Sequence, residues 1–175
     1  MQKNKFFSLI WIAIAVFGRL IPHPANMTPI TSMGLFGGAK ISRKWAFVVS
    51  FAALIISDLL LKGINGTDTA FGSWTLFTYT GFAAIIWFGS KLGSEAQAGR
   101  TVGFLIGSSL FYWIWTNLGA WAIGDLYPRN AEGFIACYVA AIPFLRNALL
   151  GDLVWGLALF MSFNSVRRLS EAKIA

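Results

Sequence analysis

Cysteine, histidine and acidic residues are scarce in this chain of 175 residues. The one cysteine, Cys137, cannot form an intramolecular disulfide, so cysteine usage does not indicate a redox compartment. One histidine beside one cysteine is too few for a zinc site built from this chain alone. We therefore expect neither a metal site nor another cofactor.

Sequence motifs of enzymes are also missing. The chain has no G-x-S-x-G, no H-E-x-x-H, no Walker loop and no G-x-G-x-x-G. The one histidine, His23, has no nucleophile at a recognisable spacing. We therefore expect a protein without catalytic residues, and keep as an alternative an intramembrane enzyme that uses His23 or Asp152.

Hydrophobic residues, by contrast, make up 57% of the chain and charged residues only 12%. The mean hydropathy is +0.65. This composition is far from that of a soluble domain and indicates an integral membrane protein. A spanning helix needs about 20 apolar residues and a turn. We therefore expect one membrane domain over residues 1–175, with no room for a soluble domain.

Five apolar segments are long enough to form membrane helices. They are Phe6–Leu20, Trp45–Leu61, Gly72–Ser90, Thr101–Ile123 and Leu149–Val166. No peptidase motif follows the first of them, so we expect a helix there rather than a signal peptide. Two shorter apolar segments, Pro29–Ala39 and Gly133–Leu145, decide the topology, because each could be either a short helix or a re-entrant piece.

The placement of lysine and arginine distinguishes two topologies, since short cytoplasmic loops are enriched in these residues. If Pro29–Ala39 crosses the membrane and Gly133–Leu145 is a short or re-entrant arm, ten of the fourteen basic residues are cytoplasmic. These are Lys3, Lys5, Lys40, Arg43, Lys44, Lys91, Arg100, Arg167, Arg168 and Lys173. The opposite choice removes the bias. The sequence therefore predicts an all-α polytopic bundle of six helices, one of them short, with both termini cytoplasmic and a helical arm before the last helix.

The net charge of +7 and the pI near 9.9 agree with this basic cytoplasmic flank. A flank of this kind contacts anionic lipid headgroups. We therefore expect the lipid bilayer as a partner and no binding of nucleic acid.

In this topology the polar residues of the apolar segments collect near the outer side. They are Arg19, His23, Asn26, Thr28, Asp58, Asn117, Asp125, Arg129, Arg146, Asn147 and Asp152. A charge at membrane depth costs roughly 2.5–3.5 kcal/mol on insertion scales, so such residues usually face a partner or a water-filled cavity. One outward-facing polar pocket would account for the whole set.

The stretch GRLIPHPANMTPI, residues 18–30, carries three of these residues between prolines. Because proline lacks an N–H donor and fixes φ, Pro22, Pro24 and Pro29 prevent the helix from continuing. We expect an extended loop over the outer mouth, with Thr28 as the N-cap of the next helix. The alternative is that Arg19 and His23 only reach lipid headgroups.

Two later segments contain further candidates. Asn117 and Trp121 share a helical face and could line a pocket, although an aromatic belt at the membrane surface is the alternative. Asp125 and Arg129 are four residues apart and are expected to pair. Arg146 needs a partner, for which Asp58 and an anionic substrate are the candidates, and an ion pair that only fixes helix packing is the alternative.

Several motifs, spread over nearly the whole chain, resemble those of a known family. They are Arg19-x-x-Pro-His-Pro-x-Asn-x-Thr-Pro-Ile30, Leu35-Phe-Gly-Gly-Ala39, Ser57-Asp58-Leu59, Leu126-Tyr-Pro-Arg129 and the run from Cys137 to Asp152 that contains Pro-Phe-Leu-Arg-Asn-Ala-Leu-Leu-Gly-Asp. The chain resembles an uncharacterised family of small bacterial membrane proteins classed as transport proteins without an assigned substrate. The resemblance implies a location in the bacterial inner membrane.

More distantly, the order of three motifs is similar to that of the substrate-binding S components of energy-coupling-factor vitamin transporters. Those motifs are Leu35-Phe-Gly-Gly38, Ser57-Asp58-Leu59 and the segment from Pro143-Phe144 to Gly151-Asp152. This resemblance implies six helices, a first outer loop that closes over substrate and an energising transport module as partner. The first helix departs from the Ala-x-x-x-Ala docking motif of that group, because Phe17 and Arg19 follow Ala13 and Ala15 at i+4.

We therefore expect a transport protein that captures a small solute, such as a vitamin or a cofactor precursor, from the outer side. The substrate-binding candidates are Arg19, His23, Asn26, Thr28, Asp58, Asn117, Trp121, Arg129, Tyr138, Arg146, Asn147 and Asp152. A non-catalytic assembly subunit of the membrane, with these residues paired internally, is the main alternative.

Overall fold

The computed structural model of the chain describes residues 2–65 and 72–172. Within these ranges the chain forms six helices and no strand. They are α1 Gln2–Leu20, α2 Ile30–Lys40, α3 Arg43–Asn65, α4 Thr75–Leu92, α5 Ala98–Ile123 and α6 Ala131–Ala172. The all-α class and the six helices are thus confirmed, with α2 as the short one. Lys173, one of the basic residues in the topology argument, lies outside the described residues.

The last helix differs from the sequence prediction. Gly133–Leu145 is neither re-entrant nor separate, because it forms the first part of α6, a helix of 42 residues. At 1.5 Å per residue this helix is about 63 Å long. Pro143 lies inside it. A proline removes one helical hydrogen bond and can bend a helix without ending it, and for that reason the sequence-based break at this position was wrong.

Two helices are long and apolar enough to cross a membrane. The segments are Lys44–Ile64, with mean hydropathy 2.0, and Ala131–Leu169, with mean hydropathy 1.6. Only 28% and 17% of their most apolar windows are buried inside the protein, so these helices expose most of their apolar residues. Passage of all six helices through the membrane stays a prediction.

Helix α2 forms the centre of the bundle. Every residue of Thr31–Ala39 is buried. The Phe36 ring packs edge-to-face on Phe160 and Phe163 of α6, at centroid distances of 5.3 and 5.4 Å. A helix that is enclosed on all sides is a core element, whatever its length. The other five helices are therefore arranged around α2.

Helices α2 and α4 meet at glycines. A methyl group built on Gly38 would lie 2.0 Å from the Ile86 carbonyl oxygen, and one built on Gly89 would lie 2.2 Å from the Leu35 carbonyl oxygen. No side chain larger than hydrogen fits at such distances. The close approach of these two backbones therefore depends on the two glycines.

Helices α5 and α6 contact each other over several turns. Ser109 contacts Asp152, the Trp113 indole donates to the Ala141 carbonyl oxygen, and Asn117 contacts Cys137. Because the residue numbers rise along α5 as they fall along α6, the two helices run antiparallel over this stretch.

The loop between α1 and α2, residues 21–29, packs against α6. The Asn147 side-chain amide donates to the Ala25 carbonyl oxygen at 3.0 Å. Gly151 lies so close to Met27 that a methyl group on the glycine would be 3.0 Å from Met27 Cα. This loop forms one wall of the space described below.

The glycine contact between α2 and α4 gives a first prediction. Gly89→Ala should destabilise the protein by about 1–3 kcal/mol, because the added methyl group overlaps the α2 backbone. The matched control is Gly103→Ala on α5, where nothing lies within 4 Å of the new methyl group. It should stabilise by about 0.5–1 kcal/mol through helix propensity. Thermal unfolding followed by circular dichroism in detergent solution measures both; equal melting temperatures for the two variants would contradict the close packing.

Candidate functional site

Two clusters of buried polar residues lie near the end of the bundle where the α1–α2 loop sits. The first, here called the arginine cluster, consists of Arg19, Ser57, Asp58 and Tyr79. The Arg19 guanidinium forms a salt bridge with Asp58 at 2.7 Å and donates to the Ser57 hydroxyl. The Tyr79 hydroxyl donates to the second Asp58 oxygen at 2.9 Å. The side chains of Arg19 and Asp58 are each 10% exposed, so this is a nearly buried ion pair.

This salt bridge shows that Asp58 is not the partner of Arg146. The sequence offered Asp58 as a candidate, but the Asp58 carboxylate is bonded to Arg19. Arg146 is exposed on α6. The candidate pair was wrong because α1 lies beside α3, so the last turn of α1 brings Arg19 to Asp58. Within the described residues, the Arg19 Nε atom is buried without a hydrogen-bond partner.

The second, here called the aspartate cluster, joins three helices through Asp152 of α6. One carboxylate oxygen accepts the Ser32 backbone N–H at 3.1 Å and lies 3.0 Å from the Ser32 hydroxyl. The other oxygen accepts the Ser109 hydroxyl. The Thr31 side chain adds another hydrogen bond. With the Asp152 residue only 2% exposed, this carboxylate ties α6 to α2 and α5 from inside the bundle.

The partners of Asp152 are all neutral. In residues 2–65 and 72–172 the structure records salt bridges between Arg19 and Asp58 and between Arg167 and Glu95, and none at Asp152. Hydroxyl and amide donors satisfy the lone pairs of a carboxylate but leave its negative charge uncompensated. The same described residues bring no three His, Cys, Asp or Glu side chains together as metal ligands would be.

A cavity of about 90 Å³ adjoins the aspartate cluster. Its walls come from the α1–α2 loop, α2, α5 and α6. The lining residues are Asn26, Thr28, Ile30, Thr31, Ser109, Tyr112, Trp113, Ala148 and Asp152. This is the candidate site, here called the aspartate cavity.

The loop over the cavity is shaped by a tight turn. The Met27 N–H donates to the Pro24 carbonyl oxygen at 3.0 Å, and Asn26 has φ of 63°. A positive φ at the third residue is the arrangement of a type II turn, and asparagine tolerates it better than most residues do. The turn thereby directs Asn26 to the cavity, whereas His23 is exposed with its Nδ1 atom 2.9 Å from the Pro24 carbonyl oxygen.

The predicted helix cap was wrong. Helix α2 begins at Ile30, and its N-cap residue is Pro29, which has no side chain able to form a capping bond. The Pro29 carbonyl accepts the Met33 N–H at 2.8 Å. Thr28 is therefore one residue too early to be the cap, and it lines the cavity instead.

Of the twelve candidate residues, three line the aspartate cavity and one holds its loop. Asn26, Thr28 and Asp152 line it, and Asn147 bonds the loop backbone. Arg19 and Asp58 form the arginine cluster close by. Tyr112, which was not among the candidates, lines the cavity, and its hydroxyl bonds the Thr78 side chain of α4.

The remaining candidates lie elsewhere. Asn117 donates to the Trp113 carbonyl oxygen of its own helix, and the Tyr138 hydroxyl donates to the Ile114 carbonyl oxygen, both at 2.8 Å. The Trp121 indole donates to the Pro128 carbonyl oxygen at 3.1 Å. Together with the exposed His23, Arg129 and Arg146, these residues are not brought into the aspartate cavity.

Arg129 lies at a different, wider surface groove of about 420 Å³. Its other lining residues are Trp121, Asn130, Ala131, Phe134 and Ile135. The expected ion pair with Asp125 is not formed in the part of the chain that the structure describes. Helix α5 ends at Ile123, so the four-residue spacing no longer places the two side chains on one helical face. The Asn130 side chain accepts the Gly133 N–H at 2.8 Å and thereby caps α6.

Sequence reasoning missed most of the hydroxyl groups of both clusters. Thr31, Ser32 and Ser109 lie inside apolar segments, where a single serine or threonine gives no periodic signal. Tyr79 and Tyr112 look like ordinary membrane aromatics for the same reason. Ser57 was the one member visible beforehand, as part of the Ser57-Asp58-Leu59 motif.

A third polar group occupies the opposite end of the bundle. Lys40, the last residue of α2, donates to the Ser94 carbonyl oxygen at 2.6 Å and to the Asn164 side chain at 2.9 Å. Burial lowers the pKa of Lys40 to about 8, with Glu95 opposing and Arg167 reinforcing that shift. The hydrogen bond from Arg167 lowers the pKa of Glu95.

The lowered pKa of Lys40 predicts a pH dependence of stability. Between pH 8 and the ordinary lysine pKa of 10.5, the folded protein loses this proton while the unfolded chain keeps it. Stability therefore rises with pH in that window, and no change from this group is expected below it. Chemical unfolding of the wild type and Lys40→Met should show the wild type gaining stability relative to the variant across the window. A constant difference between them would contradict the burial of the ammonium group.

The arginine cluster predicts a non-additive pair of substitutions. Asp58→Leu alone should cost about 3–5 kcal/mol, because it leaves the Arg19 charge buried without its partner. The double variant Arg19→Met/Asp58→Leu should recover most of this loss. Thermal unfolding of the two single variants and the double variant measures the coupling. Additive losses would show that the two side chains do not depend on each other.

Comparison with known proteins gives one family. Residues 1–173 match the model of a family of unknown function, DUF6580. No curated protein and no solved structure matches the chain. The resemblance to S components of vitamin transporters therefore stays a prediction. Because the match covers almost the whole chain, the protein belongs to the DUF6580 family.

Proposed function

We propose that this protein is a multi-pass membrane protein that captures a small solute from the outer side of the cell membrane and carries it across. The observation that carries the proposal is the aspartate cavity, a polar space inside an apolar bundle, covered by a loop. A membrane helix bundle with polar residues facing an internal cavity is the usual setting of a solute pathway.

The distribution of basic residues supports the orientation. Contacts of Lys40 with Ser94 and Asn164, and of Arg167 with Glu95, place the ends of α2 and α6 beside the loop between α4 and α5. Further basic residues at this end of the bundle include Arg43, Lys44, Lys91, Arg100 and Arg168. Since such residues favour the cytoplasm, the aspartate cavity at the opposite end faces outward in the proposed topology.

Apolar residues on the outside of the bundle support the membrane location. Phe17 on α1 is 68% exposed, Ile64 on α3 is 67% exposed and Val154 on α6 is 58% exposed. Many other large apolar side chains on these helices are exposed to a similar degree. A water-soluble bundle would bury such residues, whereas lipid accepts them.

The α1–α2 loop is the proposed gate. Its recorded attachments to α6 are one hydrogen bond, from Asn147 to the Ala25 carbonyl oxygen, and the contact of Met27 with Gly151. Pro22 and Pro24 restrict the loop to few conformations. Lifting the loop would uncover the cavity without breaking the contacts between helices. Transport would then follow by reorientation of the loaded bundle, as the resemblance to S components suggests.

A second candidate function is an assembly subunit of the membrane. The observation in its favour is the internal pairing of Arg19 with Asp58, which places two predicted site residues in a structural contact. In that case the aspartate cavity would be a packing defect and would bind nothing. The two functions therefore differ in whether a solute is bound.

Native mass spectrometry of gently extracted protein tests for this solute. The informative variant is Ala148→Leu, which fills the aspartate cavity from α6 and leaves the hydrogen bonds of Asp152 in place. Its matched control is Ala140→Leu, at an exposed position of the same helix outside the cavity. We expect a small molecule to accompany the wild type and Ala140→Leu, and to be lost from Ala148→Leu.

Two other results would contradict this proposal, each in a different part. If the wild type carries no small molecule, and none binds from a library of vitamins and metabolites, solute capture is wrong and the assembly subunit is favoured. If a molecule is present but Ala148→Leu retains it, the protein binds a solute at a site other than the aspartate cavity.

A further inference from the structure

We propose that the aspartate cavity selects a small organic cation, a primary or methylated ammonium with few carbon atoms. This inference rests on the proposed function and gives the chemical class of the solute. It differs from the sequence-based interpretation in which an anionic substrate is a candidate partner of Arg146.

The charge of the cavity wall is the first argument. Among the nine residues that line the cavity, Asp152 is the one with a charged side chain, and none is basic. Its hydrogen bonds come from neutral groups of Thr31, Ser32 and Ser109. A cation in the cavity would compensate the negative charge, whereas an anion would be placed beside a carboxylate.

The basic residues nearby are engaged or remote. The Arg19 guanidinium is bonded to Asp58 and Ser57 and does not line the cavity. Arg146 is exposed and also does not line it. An anionic solute would therefore find no positive side chain in the cavity as it stands.

The aromatic residues of the wall are the second argument. The Trp113 indole N–H donates to the Ala141 carbonyl oxygen at 3.0 Å, and the Tyr112 hydroxyl bonds the Thr78 side chain. Neither partner lines the cavity. The polar atoms of both aromatics are thus used elsewhere, and their rings remain as the cavity wall. Aromatic rings beside a carboxylate are the arrangement that attracts ammonium groups through cation–π interactions.

The volume of the cavity and its oxygen acceptors restrict the class of solute further. The cavity of about 90 Å³ is smaller than the cavity of roughly 150 Å³ that admits benzene in another protein, so it suits a solute of about five heavy atoms or fewer. Asn26 and Thr28 of the loop also line the cavity, and their side chains carry oxygens that can accept N–H groups. An alkali metal ion would need about six oxygen ligands, and two large aromatic rings in the wall leave fewer positions for them.

The test compares three solutes of similar size and different charge: propylammonium, propanol and propionate. Isothermal titration calorimetry at constant ionic strength measures their binding to the wild type, Asp152→Asn and Asp125→Asn. Asp125 is an exposed aspartate away from the cavity, so its variant is the matched control for the charge change. We expect propylammonium to bind the wild type roughly tenfold or more tightly than the other two solutes. Asp152→Asn should lose that preference, and Asp125→Asn should keep it.

A second pair of variants tests the cation class without changing Asp152, whose substitution would also affect the three helices that it joins. Trp113→Leu takes a ring from the cavity wall, and Trp121→Leu takes one from the separate groove near Arg129. Affinity for propylammonium should fall severalfold in the first variant and stay unchanged in the second. Equal effects of the two substitutions would contradict the cation–π contact.

The outcomes separate this inference from the proposed function. If propanol or propionate binds the wild type as well as propylammonium does, and Ala148→Leu abolishes that binding, the cation class is wrong while solute capture stands. If sodium ions displace propylammonium with higher affinity, the cavity is an alkali-ion site and the organic-cation class is wrong. If none of the three solutes binds, the class is again wrong, and the native mass spectrum decides solute capture independently.

Discussion

The hydrogen-bonded carboxylate of Asp152 is the interaction on which the arrangement of this bundle depends. It joins α6 to Ser32 of the central helix α2 and to Ser109 of α5, three helices that are far apart in sequence. An ionisable group among apolar helices is costly and stays there only when its lone pairs are satisfied. The serines supply that satisfaction, so the carboxylate fixes where α6 contacts the core.

The aspartate cavity lies beside this fixed point. Residues of α2, α5 and α6 wall it, and the α1–α2 loop covers it, held by the hydrogen bond from Asn147 to the Ala25 carbonyl oxygen. The same carboxylate that anchors α6 therefore also lines the cavity. Asp152 can both hold the three helices together and bind a solute. Neutral donors satisfy the lone pairs of its carboxylate and leave its negative charge uncompensated.

The sequence was sufficient for the number and approximate position of the helices, because apolar segment length determines both. It failed at Pro143, since one proline among apolar residues bends a helix as readily as it ends one. Three residues predicted from the sequence, Asn26, Thr28 and Asp152, line the aspartate cavity. The sequence could not show that Arg19 pairs with Asp58, because this depends on which helices become neighbours. Thr31, Ser32 and Ser109 were missed because isolated hydroxyls leave no pattern in a hydrophobic helix.

The most direct test of an outward-facing cavity is thiol labelling of intact cells. The background is Cys137→Ala, which removes the one native cysteine, and a new cysteine is placed at Ala148 in the cavity or at Val154 on the apolar outer face of α6. A membrane-impermeant thiol reagent added outside should modify the cysteine at Ala148 and spare the one at Val154, where lipid suppresses the thiolate. If the cysteine at Ala148 reacts only when the reagent reaches the cytoplasm, the cavity does not face outward and the account is wrong.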